Sequence, residues 1–171
     1  MAWPLTRNAL AIRKGGRYAR SMAASGIVPQ DIALRYEVHE WRNGLAILAA
    51  ARPEEWSDIQ AVLRAFQLLR VDILMPGGRK SPVAVKIDSA LYARGWSEKS
   101  FDTKIVVDSA EYRAPTHKVD CFKNRVALEV EWNNKDPFYD RDLTNFRLLF
   151  ELRAIDVGVI VTRCDELQEV F

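Results

Sequence analysis

One stretch, Val119-Asp-Cys-Phe-Lys-Asn-Arg-Val-Ala-Leu-Glu-Val-Glu-Trp132, constrains the fold more than any other in the chain. Its second half has the two-residue period of a strand. Val126, Leu128, Val130 and Trp132 therefore point one way, and Ala127, Glu129 and Glu131 the other. A two-residue turn at Lys123-Asn124 predicts a hairpin in which Phe122 pairs with Arg125 and Asp120 with Ala127. Asp120 then shares a face with Glu129, diagonally opposite it, at a Cβ separation of about 7–8 Å. With Glu131, three carboxylates gather on one face. Like charges held this closely repel and are costly to bury without compensation. A hard divalent cation compensates naturally, because Mg²⁺ is held by one or two protein carboxylates together with water and phosphate oxygens. It can activate a bound water and stabilise a phosphodiester displaced in line, which is nuclease chemistry. The same acids also fit the solvated face of an amphipathic strand, and their spacing alone does not choose between the two.

Around this hairpin the periodicity alternates between helix and strand. Trp56, Ile59, Val62, Leu63 and Phe66 predict a helix over about 54–68, with Glu54, Glu55 and Asp58 toward its N-terminal end, where the dipole favours acids. Residues 69–75 either continue that helix or form a short strand before the break at Pro76-Gly77-Gly78. Ser81 as N-cap and Pro82 as N1 open a second helix that ends near Gly95 as its C′ residue. Gly77-Gly78-Arg79-Lys80-Ser81 lacks the glycine spacing of a phosphate loop and is rejected as one. Strands are expected at 104–107, 117–122 and 126–132. A third helix over about 138–153, capped by Asp136-Pro137, places Leu143, Phe146, Leu149 and Phe150 on its buried stripe. Val157 to Val161 reads as a strand buried on both faces. Helices flanking a mixed central sheet make this an α/β chain.

At 171 residues the chain has room for one domain. Its two cysteines exclude a disulfide framework and a Cys-only zinc site, so a reduced, cytoplasmic protein is expected. No apolar run approaches the roughly 18 residues of a membrane span, and no membrane partner is expected. A net charge of +2 conceals an asymmetry. Residues 1–30 carry Arg7, Arg13, Lys14, Arg17 and Arg20 and no acid, leaving 20 basic against 23 acidic residues in 31–171. A basic arm over 1–34 suits a grip on DNA, a transit peptide or an extension without a role. Glu54, Glu55 and Asp58 are either helix-terminal charge or further acids for a metal site. Asn133, Asn134 and Lys135 directly follow the acidic strand, where amides can read adenine and a lysine can meet guanine or phosphate. Lys123 and Arg125 at the hairpin turn, with Arg141 and Arg147 on the third helix, are candidate phosphate contacts or a solvated surface. His39 and His117 have no metal-ligand spacing, and Cys121 reads as a small buried hydrophobe.

Four blocks in order make the chain resemble the BglII/BstYI-like type II restriction endonucleases within the PD-(D/E)xK nuclease superfamily. They are Asn43-Gly-Leu with Trp56-x-x-Ile-Gln, then Ser81-Pro-Val-Ala with Leu91 and Arg94-Gly-Trp96, then Asp120-x-Phe-x-x-Arg-Val-Ala-Leu-Glu-Val-Glu-Trp132, and Ile155-Asp-Val-Gly-Val. The resemblance runs from about residue 36 to 171. It implies a restriction-endonuclease-like core over 35–171 and Mg²⁺-dependent cleavage of double-stranded DNA at a short palindrome by a homodimer. By it, Asp120 and Glu129 are the metal-binding acids. Glu131 is a third catalytic residue in the place of the superfamily's lysine, where it either ligates a second metal or accepts a proton from the attacking water. Relatives continue beyond the strand at 157–161, so the core is expected to be short of the family's full recognition elements. A catalytically dead DNA-binding or dimerisation module and a structure-specific repair nuclease are the competing expectations.

Overall fold

The computed structural model describes residues 26–74, 80–113, 116–132 and 138–164. In chain order they form α1 (Gln30–Ala33), α2 (Gly44–Ala51), α3 (Pro53–Ala65), α4 (Arg70–Leu74), α5 (Pro82–Tyr92), β1 (Ser97–Lys99), β2 (Lys104–Val107), β3 (Ala110–Arg113), β4 (Val119–Lys123), β5 (Val126–Glu131), α6 (Phe138–Glu151) and β6 (Val157–Thr162). A four-stranded sheet has the order β1-β4-β5-β6, with β5 and β6 parallel and the other neighbours antiparallel, while β2 and β3 make a separate ribbon. This is the expected α/β architecture, a mixed sheet flanked by helices. No helix among the described residues is long and apolar enough to cross a membrane.

The alternation of β5 decides the layering. Val126, Leu128, Val130 and the following Trp132 pack with Leu48 of α2, Ile59 and Val62 of α3, and Val83, Ile87 and Leu91 of α5. On the other face Ala127 packs with Phe146 and Leu149 of α6 and with Ile155. All six residues of β5 are buried, so Glu129 and Glu131 lie beneath α6 and not on a solvated face.

Helix α5 is capped as its sequence dictates: Ser81 Oγ accepts from the Ala84 N–H at 3.1 Å, Pro82 follows, and Gly95 has φ +84° past the C-terminus. Helix α3 stops at Ala65, three residues before its expected end, because Phe66 turns extended. There Arg35 donates to the carbonyls of Arg64 and Phe66, and the Tyr36 hydroxyl donates to that of Leu63, satisfying groups that a longer helix would have paired. Residues 70–74 form the separate helix α4. The Asp136-Pro137 cap lies outside the described residues.

Three other expectations are corrected. The stripe of α6 was read one position out: Leu143 and Phe150 are exposed, and Asp142 and Asn145 are buried beside Phe146 and Leu149. That i, i+3, i+4, i+7 set is a helical face like the expected one, but half polar, because it covers acids. Among the described residues, strand β6 lies at the edge of the sheet and is mostly half-buried, not enclosed on both faces. The hairpin turn is Asn124-Arg125, both at positive φ as a type I′ turn requires, and not Lys123-Asn124. Arg125 is an unusual residue for φ +70°. It is held there by Asp156, whose N–H donates to the Arg125 carbonyl at 2.7 Å and whose carboxylate accepts from its guanidinium, also at 2.7 Å. Arg52 donates to the same carboxylate from its Nε at 2.9 Å.

Two stability predictions follow from these contacts. A Cβ on Gly158 would lie 2.3 Å from Phe146 Cδ2, so Gly158→Ala overpacks the α6–β6 contact and is expected to cost about 1–3 kcal/mol in urea unfolding. Phe146→Leu in the same chain should return part of that loss. The hydrogen bonds from Arg125, and then those from Arg52, hold the Asp156 carboxyl down at about 2, below its unfolded value. Its stabilisation is therefore present above about pH 4 and lost as pH falls toward 2. Asp156→Asn should cost about 1–2 kcal/mol at pH 7, and its unfolding curve should converge with the wild type's near pH 2.

Candidate metal and catalytic site

Moving the turn by one residue shifts the strand pairing by two. Cys121 faces Leu128 and Phe122 faces Ala127, and the same register carried on sets Asp120 directly opposite Glu129. An even shift leaves every side chain on its face, so the two acids remain together and come closer than the diagonal expected from sequence. The Asp120 N–H reaches Glu129 Oε2 at 3.3 Å. The other oxygen, Glu129 Oε1, is buried without a hydrogen-bond partner.

Glu129 is only 2% exposed, and burial pushes its carboxyl well above the carboxylate range, reinforced by the charges of Asp120, Asp142 and Glu131. Glu131 is raised too, first by burial and then by a hydrogen bond to Asp142, while Arg141 opposes the shift. The Arg141 guanidinium bridges these partners, donating from Nη2 to Glu131 Oε1 at 2.8 Å and from Nε to Asp142 Oδ1 at 2.9 Å. Glu131, Asp142 and Arg141 thus form one linked unit, with the guanidinium between the two carboxyls. Asp142 was not singled out from the sequence. Its signal was an acid on the helix face that packs over the sheet, hidden because the apolar stripe was set one position away.

The three sequence-predicted acids thus lie on one buried face, but in two groups: Asp120 with Glu129, and Glu131 with Asp142. Among the described residues no three His, Cys, Asp or Glu side chains converge closely enough to hold one ion between them. The sequence expectation that three acids meet at a single spot is corrected to this pair-plus-pair arrangement. The Asp120–Glu129 pair still suits a hard cation. It offers oxygen donors only, one of them is orphaned and buried, and two carboxylates are what Mg²⁺ commonly takes from protein.

A lysine from outside the hairpin completes the cluster. Lys80 Nζ sits 3.4 Å from Asp120 Oδ1 and makes a closer ion pair with Asp88 of α5, whose carboxylate is almost wholly buried. Cys121, fully buried as expected, donates its thiol to Asp88 Oδ1 at 3.3 Å, and burial followed by the charge of Asp88 raises that thiol's pKa. The Tyr92 hydroxyl donates to the Asp120 carbonyl at 3.0 Å, fixing the backbone of the acid. Beyond Arg141 a cleft of about 560 Å³ opens between α6 and the entry to β4, lined by Thr116, His117, Arg141, Thr144 and Asn145 among others.

The remaining candidates sit elsewhere. Glu55 accepts from Asn124 Nδ2 at 2.7 Å, and Asp58 accepts from Trp96 Nε1 and Lys123 Nζ, so these two acids brace the hairpin turn and do not join Asp120. Glu54 is exposed. Lys123 and Arg125 are paired within the chain with Asp58 and Asp156. Arg147 pairs with Glu151 one turn on, and His39 pairs with Glu37. Asn133, Asn134, Lys135 and the arm up to residue 25 lie outside the described residues.

Residues 36–171 match the family described as Restriction endonuclease BglII/BglIII. None of the curated proteins matches the chain.

Proposed function

We propose, for a chain that belongs to the BglII/BglIII restriction endonuclease family and hence to enzymes that cleave DNA at specific sites, that it hydrolyses a phosphodiester at a short palindrome as a Mg²⁺-dependent homodimer. The observation that carries the metal reading is Glu129. This buried carboxylate has one unpartnered oxygen, faces Asp120, and is surrounded by like charge that a cation relieves when the group is ionised. Asp120 and Glu129 are the residues to hold the ion. When bound, the ion supplies a water of lowered pKa and neutralises charge developing on the phosphate.

The chain's own groups do the rest. The Asp120 N–H and the Tyr92 hydroxyl fix the Asp120–Glu129 pair before any ion arrives, so little reorganisation accompanies binding. Glu131 is raised toward neutrality and held by Arg141, which suits a group that takes a proton from the attacking water. A twofold dimer presents two such sites to the two strands of a palindrome. Asn133, Asn134 and Lys135, reached directly from the acidic strand, are the side chains proposed to read bases, and the basic arm to hold phosphates.

Plasmid DNA incubated with the full chain and Mg²⁺ should give discrete fragments. Glu129→Ala should abolish them while leaving the unfolding midpoint equal or higher, because a costly buried acid has gone. Fragments unchanged by that substitution would overturn the site. A second expectation concerns pH. The folded carboxyl of Glu129 titrates above its unfolded value, so the ion-free protein loses stability as pH rises through that raised value, and an ion must displace a proton to bind. The rise in Tm on adding Mg²⁺ should therefore be larger at about pH 8.5 than at about pH 6, as thermal unfolding with and without the metal would show.

A further inference from the structure

Lys80 and Asp88 are two charged groups that the proposed chemistry has not used, and their placement is specific. Asp88 is an acid in the apolar layer between α5 and the sheet, 2% exposed among Val83, Ala84, Ile87 and Leu91 of its own helix. An isolated carboxylate there is costly, and replacing such a pair with apolar residues is often neutral or stabilising, so a buried ion pair is weak evidence of a stabilising role. The pair does something else: it aims the ammonium. Lys80 directly precedes the Ser81 cap of α5, so its backbone is set by the start of the helix, and its side chain is set by Asp88. What remains is a third-exposed ammonium beside the half-buried Asp120 carboxylate, at the looser distance of 3.4 Å. Its long contact leaves donor capacity for a second oxygen at the same place.

We propose that Lys80, anchored by Asp88, is a catalytic cation of the DNA-cleaving site, donating a hydrogen bond to a nonbridging oxygen of the scissile phosphodiester next to Asp120. This rests on the nuclease reading above. Paired with the carboxylates of both Asp88 and Asp120, the group is held as an ammonium. It donates without giving up its proton. In the reaction a water oxygen bonds to phosphorus and the bond from phosphorus to the leaving oxygen breaks. The attacking water's proton passes to Glu131 or to solvent, and the leaving oxygen is protonated by solvent. Lys80 stabilises charge on the phosphoryl oxygens throughout. Arg141 is no substitute, because it is already committed to Glu131 and Asp142.

The test measures cleavage of plasmid DNA at saturating Mg²⁺ and, separately, Mn²⁺ binding by electron paramagnetic resonance without DNA. Lys80→Met should lower kcat by about 10²-fold, the usual effect of removing one preorganised donor. Mn²⁺ should bind at least as tightly as in the wild type, since a charge that repels it has gone. Lys80→Arg should restore part of the rate. Lys80→Met leaves Asp88 buried and unpaired, so Lys80→Met/Asp88→Leu is measured beside it to keep a folded comparison, and the same loss of rate is expected. A Lys80→Met chain that cuts within about threefold of the wild-type rate overturns the proposal. So does one that loses Mn²⁺ affinity in step with rate, because Lys80 would then only support Asp120. A wild-type chain that cuts no DNA, or Glu129→Ala that cuts normally, overturns the nuclease reading and this inference with it; an active Lys80→Met overturns this inference alone.

Discussion

Five carboxylates, Asp88, Asp120, Glu129, Glu131 and Asp142, crowd around the end of two strands, and Lys80 and Arg141 are ion-paired within this set. No cooperative fold gains stability from such a set. Burial of even one unpaired carboxylate opposes folding by several kcal/mol, and the cost appears here as raised pKa values at Glu129 and Glu131 in place of full ionisation. The apolar core must tolerate this end of the sheet, and it does so from the far side. The face of β5 that packs against α2, α3 and α5 is wholly apolar, so it holds the strand in place while its opposite face carries Glu129 and Glu131.

The other end of the hairpin explains how the acids stay in register. Each residue of the turn region is tied to a different part of the chain: Lys123 to Asp58, Asn124 to Glu55, and Arg125 to Asp156, which also binds Arg52. The link to Arg52 joins residues more than a hundred positions apart. A slip of one residue would carry Glu129 to the apolar face, and these anchors together with the type I′ turn resist it. Lys123 and Arg125, candidates for phosphate from the sequence, have structural partners here and help fix where Asp120 meets Glu129.

The part of this arrangement legible in the sequence was the part governed by period. Alternation along 126–132 separated Leu128 from Glu129 correctly, and no later contact altered that, because period two survives an even shift of register. Capping by Ser81 and Pro82 was legible because its chemistry is local. What the residues did not reveal depends on partners distant in the chain. Arg125 at φ +70° is improbable until Asp156 is known to hold it, so the turn was placed one residue early. Leu143 and Phe150 look like a buried stripe until Asp142 and Asn145 are seen to cover acids, where a polar face is the better match. Lys80 was dismissed together with a phosphate loop it does not form, and its contact with Asp120 spans 40 positions that no local pattern encodes.

Arg141 and Lys80 divide the cationic work in a way that follows from Glu131. An acid at that strand position adds charge where a nuclease must already accommodate two carboxylates and a phosphate. Arg141, paired with both Glu131 and Asp142, offsets that addition locally. The cost is that Arg141 is no longer available to the phosphate. A positive group for the phosphate then has to come from another element. Lys80, just before the cap of α5, is the group proposed, and the buried Asp88 of that helix aims it before substrate arrives. On this reasoning, the acid at 131 and the lysine at 80 are two halves of one solution to the charge balance of the site.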